Sequence, residues 1–192
     1  NKFDQGIFEA RRLVRTEAAF VSGELNAKAY EECDLRKYQF LATLDLRTSK
    51  ICRSLDGKRF FLKDRQVGKN YPPMHPWCRS TTIAFISEDD MKNLKRRALN
   101  PDTGQTELVP ASMAYEEWYK KYVKDNLKAE GQEKAIQNKA SDKAQYQKYK
   151  ESGIDDVPAT FTSFQKLKYQ DPEKWELLKK DYRERGKTSG KS

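Results

Sequence analysis

From Phe3 to about Glu32, apolar residues return every three or four positions, at Ile7, Ala10, Val14, Ala18, Val21, Leu25 and Ala29, with Leu13 and Phe20 widening the stripe. That period predicts one long amphipathic helix, bent at Gly23, where glycine weakens a helix interior. Its polar face carries Arg11, Arg12, Arg15 and Glu17, and Thr16 lies at the apolar edge. The helical period then stops. KYQFLATLD (37–45) runs aromatic and apolar residues together, RTSKICRSLDGKRFFL (47–62) is broken by Asp56-Gly57, and TTIAFIS (81–87) is rich in β-branched residues. Asp-Gly between apolar flanks predicts a hairpin turn, and the flanking composition predicts strands. A small antiparallel sheet covered by the long helix gives each apolar face a partner, so the fold expected is α+β.

After Ser87, EDDMKNLKRRAL places acids first and bases last, the order that a helix dipole favours, and Asn100-Pro101-Asp102-Thr103-Gly104 reads as the turn that ends this short helix. The pattern places a domain boundary near Pro110, with residues 1–110 as the α+β domain and 111–192 as a mostly helical, lysine- and tyrosine-rich extension. Helical segments are expected at 113–123, 141–152 and 163–185, the last broken near Asp171-Pro172, with Ser112 and Ser141 as N-caps. The intervening LKAEGQEKAIQNKA is too polar to be expected to fold by itself, and the closing GKTSGKS reads as a flexible tail.

Composition narrows the function classes. With 36% hydrophobic and 35% charged residues, the chain has a limited supply of core side chains. A net charge of +9 favours residence near a polyanion, because lysine and arginine set against phosphate release counterions. Residues 1–110 carry 20 basic and 15 acidic side chains, and the remainder 18 and 14, so neither part is a polybasic arm. No run approaches the roughly 18 apolar residues of a membrane helix, and none has the order of a signal peptide, so a cytoplasmic protein without membrane partners is expected. The chain opens at Asn1 directly in helical pattern, which suggests a fragment or processed product.

The candidate chemistry gathers around YPPMHPWCRSTT (71–82), which holds the only histidine. Cys52, His75 and Cys78 are the donor types that zinc prefers, and Cys33 is the remaining candidate for a fourth ligand. Pro72, Pro73 and Pro76 stiffen the loop between them. The competing reading is two buried thiols and a histidine that holds a backbone carbonyl. A cysteine protease would need His75 as base for Cys52 or Cys78, with an oxyanion hole that the sequence does not advertise. A nuclease would need a second histidine or a carboxylate cluster, and Asp45, Asp56 and Asp64 show no such spacing. No glycine-rich run opens a helix as a phosphate loop would. Tyr115, Trp118, Tyr119 and Tyr122 recur at three and four positions, as a docking stripe or as base-stacking platforms beside lysines.

The order ARRLVRTEAAFV, FLATLDLRTSKICRSLDGKRF, GKNYPPMHPWCRSTT resembles the Mu F-like, or phage head morphogenesis, domain of phage minor head proteins over roughly residues 9 to 86. The matching positions are Arg15, Thr16 and Glu17; Asp45, Arg47, Thr48, Cys52, Asp56 and Gly57; and Pro72, Pro73, His75, Pro76, Cys78 and Arg79. The chain departs from the pattern at Ser80, where many relatives have a second cysteine. The tail resembles the extension that follows this domain in minor capsid proteins. The resemblance implies a structural, non-catalytic protein of the virion head or procapsid interior, made in the host cytoplasm. Its implied partners are portal, capsid and scaffold proteins, and packaged double-stranded DNA. A nucleic-acid-binding module and a zinc-containing nuclease or toxin-like domain are the alternatives. From the same motif order, Asp45, Arg47 and Asp56 are expected to form a buried polar network that pins the hairpin.

Overall fold

The computed structural model describes residues 2–189 and divides into two compact units. The first runs to Asn100 and includes Gly104–Lys121; the second holds Pro101–Thr103 and the chain from Tyr122 onward.

In the first unit the order is α1 (Lys2–Glu32), β1 (Lys37–Leu41), α2 (Lys50–Leu55), β2 (Arg59–Phe61), β3 (Thr81–Phe85), α3 (Glu88–Lys92), β4 (Lys95–Leu99), β5 (Thr106–Pro110) and α4 (Tyr115–Tyr122). The three-stranded sheet has the order β2-β1-β3, antiparallel throughout, with Lys37 opposite both Phe61 and Phe85. The expected α+β architecture, a long N-terminal helix with a small antiparallel sheet, is present.

The helix meets the sheet by an unexpected face. Its buried residues are Gly23 and Ala27, whereas Phe3, Val14 and Leu25 of the apolar stripe are 72%, 67% and 63% exposed. Small side chains decide the orientation. A Cβ on Gly23 would lie 3.2 Å from both the Pro72 carbonyl oxygen and Tyr71 Cε1, and the Tyr71 hydroxyl donates to the Gly23 carbonyl at 2.6 Å. Gly23 is therefore a point of close approach in a continuous helix, not a bend. Below it, Ala27, Tyr38, Leu62 and Tyr71 form one core cluster, with Tyr38 and Tyr71 edge to face.

Two segments differ from their sequence pattern. Residues 50–55 form α2 instead of a strand, because Ser49 caps it by accepting the Cys52 N–H. Asp56-Gly57 therefore ends a helix instead of turning a hairpin. Gly57 has φ +76°, the left-handed conformation that glycine adopts at low cost, and donates its N–H to Phe40 at 2.9 Å. Similarly, the helix after Ser87 stops at Lys92, and Lys95–Leu99 becomes β4, paired antiparallel with β5. Arg96 and Ala98 of β4 are buried while Arg97 is exposed, a period of two that the basic residues hide.

Asp56 and Arg96 join these pieces. The Asp56 side chain has no exposed surface and accepts the Ala42 N–H at 2.7 Å, the Tyr115 N–H at 2.7 Å and two Arg96 contacts at 3.0 Å. Arg96 also donates to the Ala42 and Met113 carbonyls. One carboxylate thus ties the end of β1, strand β4, the C-cap of α2 and the first turn of α4. This is why the first unit extends past Pro110. Tyr115 and Trp118 are buried within it, and Trp118 Nε1 donates to the Leu99 carbonyl at 2.9 Å, so neither is available as a docking or base-stacking surface.

The second unit contains α5 (Leu127–Gln137), α6 (Lys139–Glu151), α7 (Phe161–Gln170) and α8 (Pro172–Ser189). The polar segment before 141 folds as α5, capped by Asn126. α6 starts after Asn138, so Ser141 lies within it and is not its cap. Tyr149, Phe164 and Leu178 form the core with Trp175 and Tyr182 around them. Buried Asp142 is met by Lys168 at 2.7 Å, Gln165 at 2.9 Å and Tyr169 at 3.0 Å. α8 takes in the first residues of GKTSGKS, and the rest of that segment lies outside the described residues.

Removal of Arg96 leaves Asp56 buried without its counter-charge. Arg96→Ala is expected to lower the unfolding free energy by about 3–5 kcal/mol. The exposed neighbour Arg97→Ala is expected to change it by less than about 0.5 kcal/mol, both measured by urea unfolding.

Candidate metal centre

α2 and the loop that follows Tyr71 bring three donors together. Cys52 Sγ lies 3.8 Å from Cys78 Sγ and 3.5 Å from His75 Nε2, and the three donor atoms all fall within 4.8 Å of one another. Both sulfurs are buried, packed with Phe40, Ala42 and Met74, and His75 is half-buried. Cys33 is exposed and stands outside this group, which corrects its expected place as a fourth ligand: it lies just past the end of α1, away from the 72–78 loop.

The loop owes its shape to local constraints. Trp77 has φ +65°, a left-handed conformation costing a residue with a Cβ about 1–2 kcal/mol. It brings Cys78 back so that its N–H donates to the His75 carbonyl at 3.1 Å. The Trp77 N–H is taken by Thr16 Oγ1 at 3.3 Å, and the Thr16 hydroxyl donates to Arg12 within α1. Pro72 and Pro73 are joined by a cis peptide bond, and Pro76 is exposed on the outer side.

His75 is held in one orientation. Nδ1 is 2.8 Å from the Pro76 carbonyl oxygen, which can only accept, so in the neutral ring the proton sits on Nδ1 and Nε2 carries the lone pair. Nε2 in turn meets the Ser49 hydroxyl at 2.8 Å. The two thiols share one hydrogen bond, which pulls Cys78 down to about 5 and, together with burial, pushes Cys52 up. Beside Cys52, His75 and Ser80 lies a cavity of about 20 Å³, large enough for a water or an ion, and Cys78 and Ser80 also line a groove of about 250 Å³.

Residues 5–83, under half of the 192-residue chain, match the family model described as Phage Mu protein F like protein. That segment is similar to the Mu F-like family. No curated protein and no solved structure matches the chain. By its description, that family is one of phage proteins.

Within the Mu F-like segment the motif residues act mainly on each other. Arg79 forms a two-pronged ion pair with Asp45, with one contact at 2.9 Å. Asp45 also accepts the Arg47 N–H at 2.9 Å, and its backbone carbonyl accepts the Tyr115 hydroxyl. Thr48 donates to the Thr43 carbonyl at 2.5 Å, and Thr43 to the Arg79 carbonyl at 3.0 Å. The network expected of Asp45, Arg47 and Asp56 is therefore redistributed. The Arg47 side chain is exposed and takes no part through its guanidinium, Asp45 pairs with Arg79, and Asp56 with Arg96. Arg15 and Glu17 are exposed, with Arg15 lining a groove of about 250 Å³ beside Tyr71 and Arg79.

Sequence reasoning missed Ser49, Arg53 and Arg96, and named Ser80 only as the place where the chain lacks a second cysteine. Arg53 donates to the Thr48 carbonyl at 2.7 Å and covers the Tyr115 ring. Ser49 carries a usable signal, an N-cap residue before a short apolar run. Arg96 carries none, because only pairing with β5 turns it inward.

Burial pushes the Asp45 carboxyl up, but the hydrogen bonds and charge of Arg79 outweigh it and hold the group below the usual carboxylate range. A depressed folded pKa contributes stability that is present above the unfolded carboxyl's pKa of about 4 and lost as pH falls through the folded value. Asp45→Asn is therefore expected to cost about 2 kcal/mol at neutral pH. It should also flatten the loss of stability below about pH 4. Denaturant unfolding as a function of pH checks both.

Proposed function

We propose that this protein is a structural minor head protein of a phage or prophage, acting in head morphogenesis at the portal vertex or procapsid interior. The observation that carries the reading is what the Mu F-like residues do. Asp45 with Arg79, Asp56 with Arg96, and Thr16 with the Trp77 amide all fasten one chain segment to another. This reading makes the chain non-enzymatic, with portal, capsid or scaffold proteins as partners in the virion head and, during assembly, in the host cytoplasm. The exposed apolar stripe on α1 supports work within an assembly, since extended apolar faces are uncommon on free monomers. Among the described residues no helix is long and apolar enough to cross a membrane.

The net charge of +9 supports contact with packaged double-stranded DNA through its phosphates. Co-expression with the portal and major capsid proteins tests the role. The chain is expected to sediment with procapsids; recovery only in the unassembled fraction contradicts it. In the same preparation, affinity for duplex DNA should fall linearly in log–log form with salt and be indifferent to base sequence.

A further inference from the structure

We propose that Cys52, His75 and Cys78 bind one zinc ion that staples the 72–78 loop to α2, with the fourth coordination position facing Ser80. Two of the three separations fit a single bonding point, and the third, from Cys78 Sγ to His75, is within 4.8 Å and closes on the ion. Tetrahedral zinc, with Zn–S of about 2.3 Å and Zn–N of about 2.0 Å, sets two sulfurs about 3.8 Å apart and a sulfur and nitrogen about 3.6 Å apart. The observed separations are 3.8 Å between Cys52 and Cys78 and 3.5 Å between Cys52 and His75. The imidazole presents Nε2, the atom nearest the sulfurs, because Nδ1 donates to the Pro76 carbonyl, the outer support that ligating histidines commonly have. Two thiolates and an imidazole are a donor set for zinc and not for magnesium or calcium, which take oxygen.

Ser80 is buried and lines the same small cavity as Cys52 and His75, so it stands where a fourth ligand enters. Ser49, 2.8 Å from Nε2, releases the ring when the metal takes that lone pair and keeps its bond from the Cys52 N–H as the cap of α2. Binding is an exchange with no change of oxidation state: the ion takes the His75 lone pair and two thiolate pairs, and the thiol protons leave to solvent. The competing account, a metal-free cluster inside the apolar group of Phe40, Ala42 and Met74, predicts no affinity for the ion.

The test uses the full chain, purified with a non-thiol reductant. Elemental analysis is expected to give about one zinc per chain, and cobalt(II) substitution to give a tetrahedral visible spectrum with thiolate-to-cobalt charge transfer. Cys52→Ser and Cys78→Ser each lose part of that charge-transfer absorption, while Cys33→Ser leaves it unchanged. Should those variants fail to fold, Ser80→Cys keeps the test open. It adds a third thiolate, so the charge-transfer band grows and zinc resists a competing chelator by at least about tenfold more. A chain that binds neither ion under these conditions overturns the proposal. So does a cobalt spectrum that Cys78→Ser and Ser80→Cys both leave unchanged.

Discussion

The Asp56 carboxylate, buried at the C-cap of α2, meets two backbone N–H groups and both prongs of Arg96, and the first unit depends on that meeting. A buried charge is costly unless it is paired and its lone pairs are filled, and here both conditions hold. The donors come from the end of β1, from β4 and from the start of α4, while the acceptor sits at the C-cap of α2. No apolar contact would fix all four to one point, because apolar packing tolerates sliding and a filled carboxylate does not. The second sheet, absent from the hydrophobic pattern, is positioned by this pair.

A second set of fastenings gathers around the segment that leads into α2. Asp45 and Arg79 hold the ends of two loops, and Thr43, Thr48 and Arg53 bond backbone carbonyls around them. The Cys52–His75–Cys78 group lies beside these fastenings and ties the same loop. Thr16 reaches the loop from α1 through the Trp77 amide, and Gly23 lets α1 approach Tyr71 closely. A helix held by a glycine, an alanine and a few polar bonds is free to turn its apolar stripe outward.

Much of this was legible where the signal was local. The length of α1, the three-stranded sheet, the nearness of Cys52 to the His75 loop and the motif order of the Mu F-like segment could all be read from residue types and spacing. What could not be read depended on partners distant in the chain. The stripe of α1 predicts a buried face, but Gly23 and Ala27 win because only small residues permit the approach to Tyr71 and Pro72. KRRAL reads as the end of a helix until β5 pairs with it. Arg47 resembled the network arginine by its position beside Asp45, yet the guanidinium that Asp45 accepts arrives from Arg79. The aromatics after Pro110 looked like a surface stripe because the carboxylate that anchors α4 lies far upstream.

Native-state hydrogen exchange at the Ala42 and Tyr115 amides tests the central role of Asp56 most directly, since each donates to that carboxylate from a different element. The account predicts that both amides exchange only through global unfolding of the unit, with one shared opening free energy. Exchange of either amide through a cheaper local opening, with the other still protected, would contradict it.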